Sequence, residues 1–221
     1  MEREIARLLL DKKAVTLRTD PPYTWSSGML APIYTDNRIL MSHPAERRVV
    51  VDHLVRAIAG CGSPADVIAG VCTSGIPWAA WVAERMGKPM IYVRSASKGY
   101  GQDKLIEGSL KKGDNAMVIE DLISTGGSSV GVVKAIRDAG GVVGCCIAIF
   151  TYGLAKAEKA FSEAGCRAIA LTDFDTLVSV ASETGRIRSD ELASIMAWSK
   201  DPEGWGRPGA LNPQQRQHAK A

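Results

Sequence analysis

Residues 116–129 read AMVIEDLISTGGSS and set two chemistries side by side. Glu120 and Asp121 close an apolar run as adjacent carboxylates, and Leu122 and Ile123 separate them from Ser124, Thr125, Gly126, Gly127 and Ser128. A Ser/Thr/Gly loop that runs into a helix presents unpaired backbone N–H groups and hydroxyl donors, backed by the positive end of the helix dipole. Such a loop suits a phosphate monoester, and glycine lets the backbone wrap closely around it. The carboxylates cannot favour that phosphate. They can accept hydrogen bonds from a vicinal diol beside it. A phosphate with a neighbouring diol describes ribose 5-phosphate. The loop lacks both GxxxxGK[ST] and GxGxxG, so it is neither a nucleoside-triphosphate loop nor a dinucleotide fingerprint. Taken singly, the acid pair reads as a solvated strand end and the loop as a plain turn. The ordered combination is much more specific.

The elements around this segment must place it at the end of a strand. DVIAGVC (66–72), PMIYVR (89–94), AMVIED (116–121), VVGCCIAIF (142–150) and AIALT (168–172) are short and largely apolar, the character of strands covered on both faces. GIPWAAWVAERMG (75–87), GSSVGVVKAIRDAG (127–140) and LAKAEKAFSEAG (154–165) alternate with them as amphipathic helices. A longer helix over 44–60 precedes the first strand, and two more lie near 176–184 and 189–198. The alternation predicts an α/β fold, a doubly wound and mainly parallel sheet with right-handed crossovers. Ligands bind such sheets beyond the carboxyl ends of the strands, where 120–128 fall. The domain plan is a small N-terminal lobe over 1–45, a core over 46–200 and a C-terminal tail over 201–221. The connection 95–114, SASKGYGQDKLIEGSLKKGD, is glycine- and lysine-rich without helical periodicity. A connection of that length suggests a functional or mobile loop.

The 221 residues carry a net charge of +3, with 46% apolar and 23% charged side chains. That is a soluble globular balance and no argument for nucleic acid. No apolar run reaches a membrane span, and the N-terminus does not read as a signal peptide, so the cytoplasm is the expected location. Cys61, Cys72, Cys145, Cys146 and Cys166 show no metal-ligand spacing. Cys72, Cys145 and Cys146 sit in apolar runs and read as small buried hydrophobes. No metal ligands and no catalytic histidine are expected.

The order of residues at 116–129 resembles the phosphoribosyl-pyrophosphate signature of the type I phosphoribosyltransferases. A longer stretch, MIYVRSASKGYGQDKLIEGSLKKGDNAMVIEDLISTGGSS, resembles the orotate phosphoribosyltransferases, as do YTWSSGMLAPIYTDNR, AIFTYGLAKAEKAF and LTDFDTLVSVA. The similarity runs from about Ala14 to about Pro202. It implies that residues 120–128 bind the phosphoribosyl group, Ser124 to Ser128 cradling its 5-phosphate while Glu120 and Asp121 hold the ribose hydroxyls. Arg94 would contact pyrophosphate, and GVCTSGIP (70–77) would form the second anion loop. Lys98 would close over the site as a catalytic lysine, from the neighbouring subunit of a homodimer that shares lid 95–114, with Tyr100 beside it where relatives commonly carry histidine. Asp121 is the second catalytic candidate. Ser124, with the lobe near Ser26 and Ser27, would meet orotate, and Mg²⁺ would be bound mainly through the substrate. Trp78, where some relatives have histidine, reads as helix packing. Two rival readings are a phosphoribosyltransferase for another base and a protein that senses phosphoribosyl pyrophosphate without turnover.

Overall fold

A computed structural model describes residues 1–62, 64–94 and 105–206. Helix α1 (Glu2–Asp11) leads into four short strands: β1 (Val15–Leu17), β2 (Tyr23–Thr24), β3 (Leu30–Ala31) and β4 (Ile33–Thr35). β1 pairs with β4 and β2 with β3, both antiparallel, to form a hood. A 3₁₀ turn over Asn37–Ser42 and helix α2 (Pro44–Ala59) follow. The alternating part then runs β5 (Val67–Val71), α3 (Gly75–Met86), β6 (Met90–Val93), β7 (Ile106–Glu107), β8 (Ala116–Ile123), α4 (Gly127–Asp138), β9 (Cys145–Thr151), α5 (Ala155–Glu163) and β10 (Arg167–Asp173). Helices α6 (Phe174–Glu183) and α7 (Ser189–Lys200) complete it.

The central sheet has the order β10-β9-β8-β5-β6-β7. Every pairing in it is parallel except β6 with β7. Successive residues of one strand feed opposite cores, as the twofold repeat of a strand requires. Ile68, Met117 and Ile147 join Leu54, Val82 and Leu177 on one face. Val67, Val118 and Cys146 join Val133 and Phe161 on the other. The sheet is therefore covered on both sides, which explains its near-continuous apolar runs. Trp78 is fully buried, as a packing residue should be. Among the described residues, no helix is long and apolar enough to cross a membrane.

Strand order reverses between β5 and β8, and the crevice at such a reversal is where these sheets take ligands. The β5–β8 ladder ends at the pair Gly70↔Ile119, while β8 continues beside β9 as far as Ile123↔Thr151. Glu120 and Asp121 are thus the first residues of β8 beyond the reach of β5. The first turn of α3 lies against the same point: a Cβ on Gly75 would stand 2.5 Å from the Ile119 carbonyl oxygen and 3.3 Å from Glu120 Cα.

Three boundaries differ from the sequence expectation. Residues 1–45 do not stand apart as one unit. Ile5, Ala6 and Leu9 of α1 are fully buried in the same core as Phe174 and Leu177, which leaves β1–β4 as the hood. The loop expected over 95–114 is shorter. From Leu105 onward the chain packs down, with β7 antiparallel on β6 and with Leu105, Ile106 and Leu110 against the core. Residues 201–206 of the expected tail are packed, because Trp205 rests on the core and donates its indole N–H to the Ser194 carbonyl at 2.9 Å.

Gly75→Ala should destabilise the protein by about 1–3 kcal/mol, the usual cost of forcing an extra carbon into a packed contact. Urea unfolding measures it. An unchanged midpoint would show that α3 and β8 have room to separate.

Candidate active site

Glu120 is only 5% exposed. Its Oε2 accepts from Ser129 Oγ at 3.0 Å, and its Oε1 accepts from the Asp121 backbone N–H at 3.2 Å. Burial, and then the Asp121 carboxylate beside it, push the Glu120 carboxyl up to about 9. Asp121 is also raised by burial, against the lowering effect of its hydrogen bonds. Two adjacent carboxyls in so dry a place cannot both ionise cheaply, which favours a shared proton on the pair. Asn37, fully buried, ties the hood side to this point by donating from Nδ2 to the Asp121 carbonyl oxygen at 2.7 Å.

The Ser/Thr/Gly loop follows directly. Gly126 adopts a left-handed conformation, φ 79°, as it caps α4, and a Cβ there would meet the Phe161 ring at 3.2 Å. Glycine is required on both counts. Ser124 to Ser129 and the acid pair line a cavity of roughly 330 Å³, and Cys72, Thr73 and Ser74 form its facing wall. The two loops expected to hold anions therefore line one cavity. Arg38, bound through Nε and Nη2 to Asp36 at 2.6 and 3.0 Å, lines the same cavity.

A second cavity, roughly 1030 Å³, opens beneath the hood and is lined by Trp25, Ser26, Ser27, Met29 and Tyr152. Thr35, Leu122, Ser124 and Thr125 line both cavities, so one loop serves two adjoining spaces. Lys156 is the one cationic side chain lining the larger space among the described residues. Trp25 and Tyr152 lie with their rings 5.0 Å apart and give it an aromatic floor.

Some expected site residues fall elsewhere. Ile123 is buried at 3% exposure in the core that contains Val130, and lines neither cavity. Arg94, half-buried just past β6, lies 3.8 Å from Glu107 and lines neither cavity. Lys98 and Tyr100 lie outside the described residues. Cys72 is not a buried hydrophobe, because it stands one residue beyond β5 and faces the smaller cavity. Reading the sequence missed Asn37, Ser129, Lys156 and Trp205. Ser129 ends the motif itself and was within reach; the other three come from distant elements and carry no local signal.

A doubly wound sheet with an acid pair and a Ser/Thr/Gly loop at its switch point is the frame of a phosphoribosyl transferase domain, and residues 40–178 match that family. The orotate phosphoribosyltransferase of Coxiella burnetii (strain RSA 493 / Nine Mile phase I) is 46% identical over 202 residues, 91% of this chain and 97% of that one. The crystal structure of orotate phosphoribosyltransferase from Aeropyrum pernix superposes with a TM-score of 0.71 at 29% identity, covering 83% of this chain and 99% of that one. A Leishmania donovani UMP synthase gives 0.76 at 28% identity over 90% of this chain, which spans 42% of that longer one. The chain belongs to the phosphoribosyltransferase family, among the orotate phosphoribosyltransferases.

The raised Glu120 carboxyl makes the free protein sensitive to pH. A carboxyl whose folded value lies above its unfolded value contributes stability that is fully present below the unfolded value, 4.5, and is lost as pH rises through the folded value, about 9. Glu120→Gln should flatten that fall and stabilise the ligand-free protein at pH 8 relative to pH 5, because the glutamine amide has no proton to lose. Asp121, also raised, leaves a residual slope. Thermal unfolding from pH 5 to 9 is the measurement, and parallel curves for the two proteins would contradict it.

Proposed function

We propose that this protein transfers the 5-phosphoribosyl group of phosphoribosyl pyrophosphate to N1 of orotate, giving orotidine 5′-phosphate and pyrophosphate. The observation that carries the reading is that the acid pair and the Ser/Thr/Gly loop line one small cavity, which adjoins a larger aromatic one across Ser124 and Thr125. The first space fits the ribose phosphate and the second a planar base. All five cysteines are free thiols, which suits a reducing, cytoplasmic setting.

Breaking the C1–O bond builds positive charge on the ribose ring and negative charge on pyrophosphate. The loop N–H groups and hydroxyls of Ser124 to Ser128 hold the 5-phosphate at the start of α4. Glu120 and Asp121 accept from the ribose hydroxyls, and their negative charge favours the cationic ring. Thr73 and Ser74 offer backbone donors on the pyrophosphate side. Lys156 provides the charge that orotate's carboxylate meets. Mg²⁺ would be carried chiefly by substrate oxygens and would supply charge stabilisation to the departing pyrophosphate. Lys98, and Arg94 from outside the two described cavities, would add positive charge as the leaving group departs, and a lid over 95–114 would exclude water. The working form is a homodimer in which Lys98 serves the partner's site. Support for this is the resemblance of 95–114 to relatives' loops.

Loss of orotate absorbance with phosphoribosyl pyrophosphate and Mg²⁺, against a panel of other bases, tests the reaction. Asp121→Asn should lower turnover at least tenfold, about 1.4 kcal/mol. Mixing Lys98→Ala chains with Asp121→Asn chains should restore activity, because a hybrid dimer regains one intact site. Demonstrated subunit exchange without recovery would place lid and pocket in the same chain.

A further inference from the structure

After α7 the chain turns back over Asp201–Gly206 and does not leave the surface. Asp201 organises the turn: its Oδ1 accepts from the Gly204 N–H at 2.9 Å and its carbonyl accepts from the Trp205 N–H at 3.1 Å. The Trp205 indole N–H is fixed on the Ser194 carbonyl of α7 at 2.9 Å. Gly206, at φ 73°, lies so close to Leu30 of β3 that a Cβ would approach that side chain at 3.1 Å. The turn therefore bridges α7 to the hood. Glu203, Trp205 and Gly206 all line the larger cavity, together with Trp25 and Met29.

We propose that this turn is a wall of the base cavity and that Trp205 is a base-binding residue that fixes the width of the cavity for a planar six-membered ring. The inference rests on the proposed transfer to orotate and adds a residue to it. Its basis is that the hood strands are very short, two residues each in β2 and β3. So short a hairpin has little stability of its own. The turn supplies it with a rigid neighbour, because an indole has few rotatable bonds and Trp205 has committed its one N–H to α7. An aromatic surface held in that way offers stacking to a planar base, and contributes nothing to ribose phosphate in the adjoining cavity, which Trp205 does not line. The role is thus separable by substrate.

Trp205→Ala should raise KM for orotate about tenfold, the scale expected when a base is deprived of an aromatic stacking partner and of the wall it forms, and leave KM for phosphoribosyl pyrophosphate within about twofold. Trp205→Phe keeps the plane and should restore most of the affinity. Tryptophan emission on titration with orotate provides a second readout that does not need the alanine variant to fold: the base-induced change in wild type should shrink clearly in Trp205→Phe. Equal rises in both KM values, no rise in either, or an undiminished emission change would each overturn the proposal. Wild-type turnover is measured first. If orotate is not a substrate the proposed reaction fails by itself, and the same two readouts are taken with whichever base of the panel is turned over.

Discussion

Two carboxylates held out of water at the end of β8 govern the rest of the site. Their position follows from a mismatch in strand length: β5 stops pairing at Gly70, and β8 runs on to Ile123. Glu120 is then covered by the first turn of α3, which comes so near that position 75 admits no side chain. Burial keeps Glu120 from ionising freely, and Ser129 and the Asp121 N–H answer its oxygens. The free protein thus holds a destabilised acid pair where an incoming diol would satisfy it. A local loss of stability of this kind is common where function needs it.

In the proposed reaction the two cavities would divide the substrate by chemistry. The smaller is walled by loops that donate hydrogen bonds, and the larger by aromatic rings. Ser124 and Thr125 stand between them, which is where a bond between ribose and base would have to form. The hood is light in itself, so its position depends on ties to the core: Asn37 onto the Asp121 carbonyl, Trp25 against Tyr152 and Trp198, and Leu30 against Gly206.

Most of the sheet, and the gathering of the acid pair and the Ser/Thr/Gly loop at one cavity, were legible in the sequence. Those features are contiguous, and their periodicity is that of buried strands and amphipathic helices. What escaped was what depends on distant contacts. Trp205 sits in a Pro/Gly-rich stretch that resembles a loose end, and only its bond to Ser194 reveals a wall. Ile123 lies within the motif yet turns into the core, because a strand commits its side chains to alternate faces whatever the motif around them. Cys72 reads as buried from its apolar neighbours, but β5 ends one residue earlier. The edge strand β7 is two residues long, too short for any periodicity to announce it.

If the acid pair keeps a proton until a ribose diol displaces it, substrate binding must release that proton. Calorimetric titration of the protein with phosphoribosyl pyrophosphate and Mg²⁺ at pH 7.5, in buffers of different ionisation enthalpy, counts protons released on binding. The same titration of Glu120→Gln provides the baseline for protons lost by the substrate itself. The account predicts that wild type releases more than the variant, by up to about one proton per site. Equal release by the two proteins would contradict it, and would show that both carboxylates are already ionised before the substrate arrives.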